Sequence, residues 1–233
     1  MHGFNWFALV SEKVTGENIH VITGIFVALL LLAAVLYVRR ELLQMEKTLV
    51  PSDKVTLANV FELIIENVLT LMEGVIGPTA KKHFPLIASI FIFIFTSNLL
   101  GLIPGFVPPT ANINTNLACA VVVFIYFNYQ GIKEQGLGNY FKHMMGPLWW
   151  LAPLILTIEL FGLSIRPITL SLRLFCNINA DHLVLGIFSN LSPLIVPIVF
   201  MILGLFVAFV QAFVFTLLSI IYLALATAHE EHH

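Results

Sequence analysis

Glu159, Arg166 and Arg173 stand seven residues apart in an otherwise apolar stretch. Seven residues of α-helix turn through roughly 700°, about −20° net, so the three charges share one face. Thr169 and Asn177, each four residues from Arg173, fall on the same stripe. A guanidinium at the centre of a bilayer helix costs roughly 2.5–3.5 kcal/mol on insertion scales. It cannot escape that cost by deprotonation, because arginine stays protonated at physiological pH. The chemistry open to Arg173 is therefore electrostatic: a permanent cation that attracts or repels charge passing close to it. Lipid cannot solvate the stripe, so it has to face protein or a water-filled cavity.

Further polar groups lie around it. Asp181 and His182 follow near the outer end of the segment. If the helix continues, nine residues put His182 about 180° from Arg173, on a different wall. Gln211 is the only long polar side chain of the last apolar segment, and it can face Arg173 from a neighbouring helix. Gly204 lies seven residues before it and Tyr222 eleven after, roughly on one side. Asn98, Asn112, Asn114 and Asn116 cluster toward the outer surface.

Each group also has a plainer reading. Arg166, placed near a helix start, can pair structurally with Glu159. His182 can simply hydrogen-bond at an interface, Gln211 can act as interhelical glue, and the asparagines can serve turn chemistry alone. Arg173 resists such a reading, since no acid lies within one turn of it in sequence.

The scaffold that positions these groups is an all-α polytopic membrane protein. The chain has 233 residues, is 59% apolar and only 10% charged, with mean hydropathy +0.96; no soluble domain has this balance. A net charge of −2 offers no hint of nucleic-acid binding. Cys119 and Cys176 both lie in apolar runs and read as buried thiols rather than a disulfide framework. The N-terminus lacks the pattern of a cleaved signal peptide, so Met1 is expected to begin the mature chain. The tail His229-Glu230-Glu231-His232-His233 reads as a solvated end, with weak metal affinity a second reading. No cofactor or metal site is expected.

The chain reads as one membrane domain over 1–233, opening with an outer N-terminal segment at 1–18. Residues 19–42 form a first span, apolar from 19 to 38 and closed by Tyr37, Arg39 and Arg40 at the interface. Within 55–77, Glu62, Glu66 and Glu73 recur with Asn59 and Thr70 at helical spacing, an amphipathic helix at the membrane interface or a bundle helix with one wet face. Residues 84–132 read as a transmembrane hairpin broken by Gly101, Pro104, Gly105, Pro108 and Pro109. A polar loop, Lys133 to His143, and the interface pair Trp149 and Trp150 follow.

The last part, 147–228, holds two segments too long to cross upright. Residues 147–180 and 191–228 would extend roughly 50 and 57 Å as helices at 1.5 Å per residue, against ~30 Å of hydrocarbon. Two long, steeply tilted helices joined near Gly186–Pro193 are expected, with Pro153, Pro167, Pro193 and Pro197 permitting kinks. Arg39, Arg40, Lys47, Lys54, Lys81, Lys82, Lys133 and Lys142 flank the spans on one side, whereas the hairpin turn and the final turn carry no Lys or Arg. That bias places the N-terminus outside and the C-terminus in the cytoplasm.

Three stretches carry a resemblance. They are Arg166-Pro167 through Leu172-Arg173-Leu174-Phe175-Cys176-Asn177 to His182, Gln211-Ala212-Phe213-Val214-Phe215-Thr216-Leu217-Leu218 with Ile221-Tyr222-Leu223, and Ser97-Asn98-Leu99-Leu100-Gly101-Leu102-Ile103-Pro104-Gly105-Phe106. With these three stretches in the order 97–106, 166–182 and 211–223, the chain resembles the subunit a family of F-type ATP synthases, beyond its first 20 residues. The resemblance implies that Arg173 is the essential arginine, Gln211 its glutamine partner and Asn177 a polar neighbour. It also implies that Glu159 is an acid of the inner half-channel, while His182 and Asn98 belong to the outer one. Two departures stand out. Cys176 replaces the usual glycine, and Gly204 stands where some relatives carry His or Glu.

The expected function is that of a non-catalytic stator. It would conduct protons through two offset half-channels to and from the carboxyls of a rotating c-ring. The expected partners are the c-ring subunits, peripheral stalk subunit b and the other ATP synthase subunits, in a cell inner membrane or an organelle. A secondary transporter would normally show repeats, and none is visible. A scaffold protein would tolerate loss of Arg173.

Overall fold

The computed structural model describes residues 19–45, 57–103, 105–136, 138, 150–191 and 195–227. The N-terminal segment, Lys47, Lys54, most of the polar loop, Trp149, Pro193 and the histidine-rich tail lie outside them. The described residues are helical apart from short turns. The helices are α1 (Ile19–Met45), α2 (Leu57–Ile76), α3 (Ala80–Gly101), α4 (Ile113–Gln135), α5 (Ala152–Leu191) and α6 (Ile195–Thr227). Five stretches are long and apolar enough to cross a membrane: Ile19–Arg40, Phe61–Gly101, Ile113–Gln135, Pro153–Phe188 and Ile198–Thr227.

The chain divides into two compact units, Met1–Pro108 and Pro109–His233. In the first, α3 is the central element. Its buried residues Ala80, His83, Ile87, Ala88, Phe91, Ile94, Ser97 and Asn98 follow helical spacing, and both α1 and α2 pack on α3. From α2, Val68 and Met72 are buried, while Glu62, Glu66 and Glu73 stay exposed; the amphipathic pattern is thus present in the packing. α1 buries little beyond Thr23, Val27 and Val38.

α3 ends where Gly101 meets Pro108. A Cβ added to Gly101 would lie 2.8 Å from Pro108 Cγ, too close for the stiff pyrrolidine ring to accept without a backbone shift. Gly105 completes this turn at φ 90°, a conformation that favours glycine. Gly101→Ala should therefore cost about 1–3 kcal/mol of overpacking. Heating the detergent-solubilised protein and following its loss of helicity measures this, and an unchanged midpoint would show that the turn yields freely.

The second unit is a three-helix group, with α4 packed on both α5 and α6, and α5 packed on α6. Asn112 caps α4: its side chain accepts from the Asn114 N–H at 2.9 Å. Asn116 Nδ2 donates to the Thr110 carbonyl at 2.8 Å. For these two asparagines the turn-chemistry reading is realised. Asn179 Nδ2 donates to Ala111 O at 3.3 Å, tying the start of the unit to α5. At the far end of α4, Gly136 takes φ 78° and returns its N–H to Ile132 O at 2.9 Å, a stop at a positive φ that favours glycine.

Association of apolar helices in lipid gains little from the hydrophobic effect and relies on close packing. α6 meets that need with Gly204, Ala208 and Ala212, spaced by four and all buried. Hydroxyls on α5 are satisfied by their own backbone: Thr157, Ser164, Thr169 and Ser171 donate to carbonyls four residues back at 2.7–3.0 Å. Thr169 therefore does not need a partner across the stripe.

The junction expected near Gly186–Pro193 falls at the far end of that stretch: α5 runs unbroken to Leu191, and α6 begins at Ile195. A lone glycine in a helix costs only about 1 kcal/mol relative to alanine, which the surrounding apolar turns absorb. Pro167 likewise sits inside α5 without ending it.

Candidate functional site

α5 buries Leu163, Pro167, Leu170, Ser171 and Leu174 at spacings of three and four. That face is committed to α4 and α6, and Arg173 stands on its outward edge, about 100° round the helix from the buried centre. Arg173 is exposed. Among the described residues no hydrogen bond or ion pair engages its guanidinium. Cys176, one turn on, shares this outward face and is an exposed free thiol; the buried-thiol reading fails for it. The reason is that an apolar run around a membrane helix does not tell which side is covered by protein. Cys119 is half-buried and also free.

On either side of Arg173, α5 is tied to α6. Asn177 Nδ2 donates to Gln211 Oε1 at 2.8 Å. Gln211 is only 5% exposed, so a buried amide is satisfied across the helix pair. In the other direction, the Arg166 guanidinium lies over the Tyr222 ring, 5.0 Å from its centroid. Arg166 Nη2 also stands 3.9 Å from Glu159 Oε1, so the pairing inferred from the seven-residue spacing is present. Arg166 is not near a helix start: fourteen residues of α5 precede it from Ala152.

A family model described as ATP synthase A chain matches residues 21–224. The chain belongs to that family. An ATP synthase subunit a from Bdellovibrio bacteriovorus is 44% identical over 97% of this chain and 99% of its own length. One from Syntrophotalea carbinolica, subunit a 1, is 46% identical over 94% of this chain and 88% of its own. A subunit a from Geobacter sulfurreducens is 50% identical over 73% of this chain and 75% of its own. With five stretches suited to crossing a bilayer, this member of the ATP synthase A chain family is a multi-pass membrane protein.

The second unit gathers Glu159, Arg173, Asn177, Asp181, Gln211 and Tyr222. Asp181 is exposed on α5. His182 lies on α5 as well, but its side chain is outside the described set. Asn98 is buried on α3, in the other unit. Gly204 and Gln211 are buried on one face of α6 and Tyr222 is half-buried there, as their spacing implied.

Sequence reasoning missed the stacking of Arg166 on Tyr222. A signal for it existed. Asn177 lies eleven residues after Arg166 (177 − 166), and Tyr222 lies eleven after Gln211 (222 − 211). In an antiparallel pair, once Asn177 faces Gln211, equal spacing brings Arg166 opposite Tyr222. The arrangement thus offers an exposed cation, unengaged among the described residues and flanked by polar ties, with a half-exposed carboxylate two turns before Arg166.

Proposed function

We propose that this chain is the stationary, non-catalytic subunit of the ATP synthase membrane sector, translocating protons to and from a rotating ring of small c subunits. The observation that carries the reading is the exposed Arg173, engaged by no hydrogen bond or ion pair among the described residues, in a chain of the ATP synthase A chain family. A permanent cation left open on a membrane helix calls for a partner that brings a negative charge.

On this reading, each ring subunit carries a carboxyl that is protonated while it faces lipid, because desolvation disfavours its charged form. Beside Arg173 the opposite charge stabilises the carboxylate, and the proton leaves. The same cation repels a proton attempting to pass straight through at short range. Two aqueous half-channels, offset on either side of Arg173, then oblige each proton to travel round with the ring. The outer one uses His182, Asp181 and Asn98; the inner one uses Glu159 and opens to the cytoplasm. Asn177 and Gln211 hold the helix pair beside Arg173. Each proton crossing the membrane releases about 2.3 kcal/mol per 100 mV. The N-terminus lies outside and the C-terminus in the cytoplasm of a bacterial cell, in its inner membrane. Peripheral stalk subunit b and the other synthase subunits hold the chain static.

Cys176 provides the test, since its thiol shares the outward face with Arg173. A second cysteine is placed beside the ring carboxyl in the assembled complex and mild oxidant is added. Facing helices bring Cα atoms within about 4.4–6.8 Å, the disulfide range, so a product joining this chain to one ring subunit is expected. Absence of that product at every position along the ring helix would reject the proposal.

A further inference from the structure

Arg166 is engaged from two directions. Glu159 approaches along α5 at 3.9 Å, and Tyr222 covers the guanidinium from α6 at 5.0 Å. The ion pair by itself is no stability device. It is longer than a hydrogen bond, and its side chains are left 26% and 46% uncovered by the rest of the chain. The Glu159 carboxylate is therefore not enclosed by its own chain. The contact with Tyr222 is of another kind: a guanidinium over an aromatic face is attracted by the ring quadrupole.

These contacts also frame Arg173. The Arg166–Tyr222 contact and the Asn177–Gln211 hydrogen bond both join α5 to α6, and Arg173 lies between them in sequence. The α5 segment from 166 to 177 is thus clamped at both ends, with Arg173 inside the clamp.

We infer that Arg166 is a positioning residue for the inner proton path: anchored on Tyr222, it holds the Glu159 carboxylate at a set place on the open face of α5 and secures the lower end of the helix segment that carries Arg173. The inference rests on the reading that Glu159 lies on the inner path. Loss of the anchor leaves both carboxylate and helix free to wander, and proton delivery slows while the gate itself remains.

The test uses the assembled synthase in vesicles, with ATP-driven acidification scaled to the amount of this chain in the purified complex. Arg166→Leu should slow the initial rate about fivefold. Arg166→Lys, which keeps the charge but loses the broad guanidinium that lies over Tyr222, should recover about half of that loss. Tyr222→Leu should slow the rate by itself but add little in an Arg166→Leu background, as expected of residues acting together. Wild-type rate for Arg166→Leu, no difference between the lysine and leucine variants, or fully additive losses would each overturn the inference. Should Arg166→Leu fail to assemble, Arg166→Lys and Tyr222→Leu decide the matter, and wild-type rates in both reject it. Glu159→Gln separates the underlying reading. If that variant pumps normally, Glu159 is not on the path and the inference falls with it. If it slows while Arg166→Leu does not, only the inference fails.

Discussion

Arg173→Ala should abolish coupled proton transport while leaving the complex assembled. Arg173 makes no contact among the described residues whose loss would loosen the chain, and its side chain is exposed. Alanine is a good helix former, so α5 gains rather than loses local propensity. What disappears is the fixed positive charge that a ring carboxylate would meet there. Removing one partner of a desolvated charge pair costs about 3–5 kcal/mol, equivalent to at least a hundredfold in rate. ATP-driven acidification of vesicles should therefore fall to background. The amount of this chain in the purified complex should match wild type. Arg173→Lys should retain only part of the function, because a compact ammonium loses its proton far more readily than a guanidinium. Sustained, normal pumping by the alanine variant would remove the basis for a gate at this position.

Gln211→Leu should produce the second largest loss. Gln211 is buried, and its Oε1 accepts the Asn177 amide at 2.8 Å. Leucine keeps the volume but leaves Asn177 without its acceptor. An interrupted buried hydrogen bond costs about 1–3 kcal/mol, although pairs within membranes average nearer ~0.6 kcal/mol. A drop of about threefold to tenfold in coupled transport is expected. A double variant, Asn177→Leu with Gln211→Leu, separates glue from function. Removing both polar groups restores packing compatibility, so stability to heating in detergent should return toward wild type. Transport should not return, because the polar flank of Arg173 is then gone. If transport recovers together with stability, the pair serves only to join the helices.

The amino-acid sequence by itself determined that this is a helical membrane protein, and roughly where each helix runs. Membrane helices require about twenty apolar residues and all their backbone hydrogen bonds within the segment, so hydropathy and the Gly101–Pro109 break speak directly. The shared face of Glu159, Arg166 and Arg173 was equally legible, because helical rotation per residue is constant. Other features depended on which neighbour covers which side. In a helix apolar all round, nothing local distinguishes the face turned to protein from the face left open. The outward thiol of Cys176, the open guanidinium of Arg173 and the stacking of Arg166 on Tyr222 therefore emerged only from the packing of α4, α5 and α6. Where within Gly186–Pro193 the two long helices part is a similar case, α5 running through Gly186 to Leu191. A glycine's modest local cost is outweighed by the apolar turns on either side of it, and residue type alone cannot rank those two terms.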